Sequence, residues 1–125
     1  MPDDRQLLGA EGERAAEKFL KRQRYTIIER NYRCPVGEVD LVALEGRTVV
    51  FIEVKTRKGE GWGTPMEAVD RRKQRQVSRA AQYFLAQHRL QDREARFDVV
   101  GVWWDAGRIA CELVKNAFEL PPDRR

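Results

Sequence analysis

The segment Thr48-Val-Val-Phe-Ile-Glu-Val-Lys-Thr56 constrains the fold more than any other stretch of this chain. Its apolar residues are consecutive rather than alternating. Both faces of such a strand need cover, which is the pattern of a central strand and not of one that faces water. Yet Glu53 and Lys55 sit near its end. Burying charge is costly unless the charge is paired or bound to a metal. The strand therefore carries either a functional centre or an internal clasp.

The rest of the chain supplies the cover. Small and apolar residues at Leu8, Gly12, Ala16, Phe19 and Leu20 predict a helix over about 6–22, capped by Asp3 or Asp4. A strand is expected over 25–33, then a turn at Cys34-Pro35-Val36-Gly37, a second strand over 38–44, a turn at Glu45-Gly46, and the central strand. A glycine-rich loop over 58–64 leads to Pro65, which suits the first turn of a second helix over about 66–88. Strands over 96–104 and 109–114, joined by Asp105-Ala-Gly107, close the chain. The order αβββαββ predicts an α/β fold with helices flanking one mixed sheet. At 125 residues the chain is expected to form one domain over 1–120, with Pro121-Pro-Asp-Arg-Arg125 as a frayed tail.

Composition narrows the function classes. No apolar run approaches the ~20 residues of a membrane helix, and the N-terminus lacks the basic-then-apolar order of a signal peptide. A cytoplasmic protein without a membrane partner is expected. Cys34 and Cys111 lie far apart with no CxxC context, so two reduced, unpaired cysteines are expected. Net charge is +4, and the cations are mostly arginine, whose planar fork suits phosphate. Nucleic acid and an ordinary solvated surface fit that balance equally well.

Side chains two apart on a strand share a face, so Glu53 and Lys55 project together. Asp40 shares a face with Val42 and Leu44, and a hairpin would bring it beside Glu53. Glu13 borders the apolar stripe of the first helix and can face the same point. Three converging acids repel one another unless a cation joins them. All-oxygen ligands favour magnesium first and manganese second. Such an ion activates water and polarises a phosphodiester, and Lys55 would orient the water or neutralise developing charge. The alternative is a salt-bridged cluster that ties helix to sheet.

The second helix reads as a core stripe of Met66, Val69, Lys73, Val77, Ala80, Ala81 and Phe84. Lys73 is the misfit. It either reaches the active site or a bound phosphate, or snorkels out along its own stem. Arg71, Arg75 and Arg79 form a second stripe, suited to a phosphate backbone or to plain solvation. Trp62, between glycines, can stack on a base, fold onto the core or serve a dimer contact. His88, at a helix end far from the acids, reads as a surface residue.

The pattern also resembles a known group. Asp40 followed by Glu53-Val54-Lys55 on the next strand resembles the PD-(D/E)xK nuclease superfamily, which includes restriction endonucleases and Holliday-junction resolvases. Gly9-Ala-Glu-Gly-Glu-Arg-Ala-Ala16, Asn31-Tyr32-Arg33, Gly37-Glu-Val-Asp-Leu-Val-Ala43, Phe51-Ile-Glu-Val-Lys-Thr-Arg57, Arg96-Phe-Asp-Val99 and Asn116-Ala-Phe118 are similar, in that order, to the YraN-type branch, described as resolvase-like. The resemblance implies a restriction-endonuclease-like fold, with Asp40 and Glu53 binding metal, Lys55 catalytic, and Glu13 matching the helix glutamate of the resolvases. Val39 stands where a proline often precedes the first aspartate, and Glu38 is a candidate further ligand. A Mg2+- or Mn2+-dependent endonuclease hydrolysing phosphodiesters in structured, branched DNA is the leading expectation. Arg57, Trp62, Arg71, Lys73, Arg75 and Arg79 would contact the nucleic acid, and a homodimer would cut two strands. A non-catalytic nucleic-acid-binding module is the alternative, and a protein-interaction adaptor the third reading.

Overall fold

A sheet that is apolar on both faces needs two covers, and the two amphipathic segments provide them. A computed structural model of the chain describes residues 4–58 and 69–119, with side chains from Gly9 onward. The elements are α1 (Asp4–Arg22), β1 (Thr26–Cys34), β2 (Gly37–Glu45), β3 (Thr48–Lys58), α2 (Arg71–Gln87), β4 (Ala95–Asp105) and β5 (Arg108–Phe118). The strands form one five-stranded sheet in the order β1-β2-β3-β4-β5. Only β3 and β4 run parallel, since α2 lies between them in the chain; the other neighbours are antiparallel hairpins. This is the mixed α/β sheet expected from the sequence.

The two faces hold separate cores. Ala16, Leu20 and Tyr25 pack with Leu41, Ala43, Val50, Ile52, Val100 and Val102. On the other face, Val77, Ala80, Ala81 and Phe84 of α2 pack with Val42, Val49, Phe51, Phe97 and Val99. The alternation within β3, with Val49 and Phe51 toward α2 and Val50 and Ile52 toward α1, makes it the shared wall of both cores. Among the described residues no helix is long and apolar enough to cross a membrane.

Several expectations change. The second helix begins at Arg71, not near Met66. Asp70 is extended, and its carboxylate accepts the Lys73 N–H at 2.9 Å, so it caps the helix there. Pro65 and Met66 lie outside the described residues, as do Trp62, Asp3 and the tail 121–125. The last strand continues past Val114 to Phe118. A register shift on β4 between Phe97 and Val99 and a left-handed Asn116 (φ 53°) absorb an irregularity. Beyond it, Phe118 is buried and stacks on Phe97 at 4.7 Å.

The irregularity has a polar cause. Asp98, fully buried, accepts the Asn116 N–H at 2.9 Å and the Tyr25 hydroxyl at 2.6 Å. Arg96 donates to Asp98 at 3.0 Å and to Glu45 at 2.6 Å, and Lys115 meets Glu45 at 2.7 Å. Burial, then the Asp98 hydrogen bond, pushes the Tyr25 phenol well above its ordinary range. The Arg96-Phe-Asp-Val99 and Asn116-Ala-Phe118 segments thus meet in one buried network that pins the end of α1 to β4 and β5.

Candidate functional site: a carboxylate pair where the sheet splits

β1 stays paired with β2 as far as Gly37, and β4 stays paired with β3 as far as Lys58. Between β2 and β3 the ladder reaches only Leu41 and Ile52. Past that point the sheet divides, and the next residue on each strand is acidic. The Asp40 N–H donates to Glu53 Oε2 at 3.1 Å, while the Val54 N–H donates to Asp40 Oδ2 at 2.8 Å. Each carboxylate satisfies a backbone donor that the parted ladder would otherwise orphan. Asp40 and Glu53 therefore sit together at the apex of the split, as the hairpin reading anticipated.

Two close approaches fix the walls. A Cβ on Gly12 would collide with the Thr56 side chain, so α1 lies tight against the end of β3 and carries Glu13 to the opening. A Cβ on Gly37 would come within 2.8 Å of the Gln76 carbonyl oxygen, so the β1–β2 turn leans directly on α2. On the α1 side a cleft of about 310 Å³ is lined by Glu13, Asp40, Val54, Lys55, Thr56 and Arg57. Glu13 is half-buried, and desolvation followed by the charge of Asp40 raises its pKa. Lys55 is half-buried in the same cleft, and Arg57 is exposed at its rim.

Glu53 is the most unusual group. It is 1% exposed, and among the described residues its Oε1 accepts no hydrogen bond. Lys73 Nζ approaches that oxygen to 3.3 Å from α2. The lysine thus reaches the acids and does not snorkel away. Burial first, then repulsion from Asp40, pushes the Glu53 carboxyl up to about 7, with Lys73 opposing the shift.

The three-acid cluster expected from the sequence is reduced to a pair. Among the described residues, no three acidic, histidine or cysteine side chains converge closely enough to enclose an ion. Glu13 reaches the cleft from α1 but does not close a third corner. Glu38 is exposed and ion-paired to Arg33 at 3.4 Å. Two carboxylates still fit a magnesium-type ion, which keeps several waters and takes only one or two protein carboxylates. Asp40 Oδ1 and Glu53 Oε1 are the oxygens left over from the reciprocal bonds.

On the α2 side a groove of about 560 Å³ is lined by Arg72, Lys73, Arg75, Gln76 and Arg79, with Val36 and Asp70 at its ends. Arg75 and Arg79 lie where the stripe placed them; Arg71 does not line the groove, and Arg72 does. With the helix starting at Arg71, residues 72, 75, 76 and 79 form one face at three- and four-residue spacing. The core stripe through Val77, Ala80, Ala81 and Phe84 sets the helical phase that puts Arg72 and not Arg71 on this face. His88 caps α2 and packs on Phe84 at 4.2 Å, and Cys34 and Cys111 are both unpaired, as expected.

Comparison with known proteins places this arrangement in a lineage. Residues 12–102 match the family model described as "Uncharacterised protein family UPF0102". The chain belongs to the UPF0102 family. A UPF0102 protein of Geotalea daltonii is 48% identical over 119 residues, covering 94% of both chains. A relative from Moorella thermoacetica is 50% identical over 112 residues, or 88% of this chain and 93% of its own. The YraN-type resemblance and this family coincide. The UPF0102 match spans Glu13, Asp40, Glu53, Lys55 and the whole basic face of α2.

Proposed function

We propose that this UPF0102 protein is a Mg2+- or Mn2+-dependent endonuclease that hydrolyses phosphodiesters in structured, branched DNA. The observation that carries the reading is the Asp40–Glu53 pair at the mouth of a divided sheet. One carboxylate opens to the cleft, and the other keeps a buried oxygen that accepts no hydrogen bond among the described residues. A bound divalent ion would supply Lewis acidity at the phosphoryl oxygen and an acidified water. Asp40 and Glu53 hold the ion. Lys55, two residues beyond Glu53 on β3, lines the cleft beside Asp40 and would set a positive charge where the phosphate lies. Glu13, with its raised affinity for a proton, is placed to exchange one with a water in the same cleft. The Arg72, Arg75 and Arg79 face, with Lys73 at its inner end, holds the backbone by charge and not by base identity. Arg57 stands at the rim of the catalytic cleft.

The second reading is a nucleic-acid-binding module with no catalysis. It is favoured by the internal satisfaction of the acids: each accepts a backbone N–H, and Lys73 faces the remaining oxygen of Glu53. A cleavage screen separates the two. Junction, flap, single-stranded and duplex DNA are incubated with Mg2+ or Mn2+. Metal-dependent products from a branched form support the nuclease, and retained binding without products under either metal supports the module.

A further inference from the structure

We infer that β5 pairs with β5 of a second copy of this chain, antiparallel about Ala110, to continue the sheet across a two-fold axis. The two edges of the sheet differ in kind. β1 is guarded: its register shifts between Ile27 and Glu29, Asn31 is left-handed (φ 49°), and Arg30 is ion-paired to Glu17. Bulges and charges of this sort prevent strand addition. β5 holds an unbroken register with β4 from Arg108 to Val114, and among the described residues its outer edge has no neighbour in the sheet.

The hairpin decides which backbone groups face outward. Ala106 (φ 49°) and Gly107 (φ 79°) form a two-residue turn of type I′, closed by Asp105 and Arg108. Such a closing pair exchanges both of its hydrogen bonds, and the pairs alternate from there. Arg108, Ala110 and Glu112 thus spend their backbone groups on β4. Ile109, Cys111 and Leu113 present theirs to the open edge.

An antiparallel two-fold centred on Ala110 uses those groups. Ile109 faces Cys111 of the second copy in a hydrogen-bonded pair, and Cys111 faces its Ile109. Ala110 meets its own counterpart at the narrow, non-hydrogen-bonded position, where a methyl fits and a larger side chain would crowd. Arg108 then stands opposite Glu112 of the second copy, and the pairing occurs twice. Charges on an edge strand usually repel addition; here the symmetry sets opposite signs together. Ile109, 42% exposed, gains cover in the same step.

This pairing needs neither DNA nor metal, so its failure and the failure of the nuclease reading are distinguishable. Sedimentation of the metal-free chain at micromolar concentrations is the test. Wild type is expected to dimerise. Arg108→Glu and Glu112→Arg each set like charges opposite twice and should weaken the dimer by about tenfold or more. The double variant Arg108→Glu/Glu112→Arg restores opposite signs and should recover the dimer, which also shows that neither change harms the fold. A monomer at every concentration, or a dimer indifferent to the single reversals, overturns the pairing.

Discussion

Lys73 Nζ lies 3.3 Å from Glu53 Oε1, so a helix covering one face of the sheet delivers a cation to a carboxylate held at the end of a central strand. The contact offsets part of the cost of ionising Glu53, which burial and then Asp40 impose. The carboxyl is pushed from 4.5 up to about 7, so between those values the folded chain holds a proton that the unfolded chain has released. The resulting stability is complete below that window and is lost as pH rises through it. Lys73→Met removes the opposing charge and drives the carboxyl higher still. In chelator-treated protein, the variant should lose on the order of 1–2 kcal/mol at about pH 8 and much less at about pH 5. Urea midpoints at the two pH values measure it, and equal losses at both would reduce Lys73 to a packing role.

Divalent metal should bind through the pair. Asp40→Asn keeps an acceptor for the Val54 N–H, so the split in the sheet survives while one ligand charge is removed. Calorimetric titration with Mn2+ is expected to show binding to wild type and at least about tenfold weaker binding to the variant. Equal binding would remove Asp40 from the ligand set.

Much of the fold is legible in the chain, and the exceptions have physical causes. The order of elements follows from apolar periodicity and turn residues. The meeting of Asp40 with Glu53 follows from one tight hairpin. The splitting of β2 from β3 is not legible, because it depends on side chains replacing ladder bonds. Pro65, a familiar helix opener, predicts too early a start for α2, whereas Asp70 caps through its contact with the Lys73 N–H. Asp98 does not stand out as a buried anchor because its partners, the Tyr25 hydroxyl and the Asn116 N–H, are remote in sequence. Its signal is Arg96 and Asp98 flanking Phe97, two opposite charges on one face of an otherwise apolar strand.

That network is expected to carry stability and no chemistry. Asp98→Ala leaves Arg96 and Tyr25 partly buried without their shared partner, and should cost about 3–5 kcal/mol. Denaturant unfolding measures the difference. A change below about 1 kcal/mol, within the range of an ordinary surface substitution, would contradict a structural anchor.

The α2 groove is expected to govern DNA affinity rather than chemistry. Reversing or removing Arg72, Arg75 and Arg79 together should lower the slope of log binding constant against log salt by about 0.9 for each phosphate that these side chains neutralise. Arg71→Ala, outside the groove, should leave the slope unchanged. A slope that follows Arg71 and ignores the other three would place the backbone elsewhere.

The central claim is that the carboxylate pair and Lys55 perform metal-dependent hydrolysis, and the single-turnover cleavage rate of Lys55→Ala relative to wild type tests it most directly. Lys55 lines the cleft beside Asp40 and is only half-buried, so its loss should leave folding intact. With Mg2+ or Mn2+ and branched DNA, wild type should cleave, and the variant should cleave on the order of a hundredfold more slowly at nearly unchanged DNA affinity. Cleavage by the variant at the wild-type rate, or no cleavage by wild type with either metal, would contradict it.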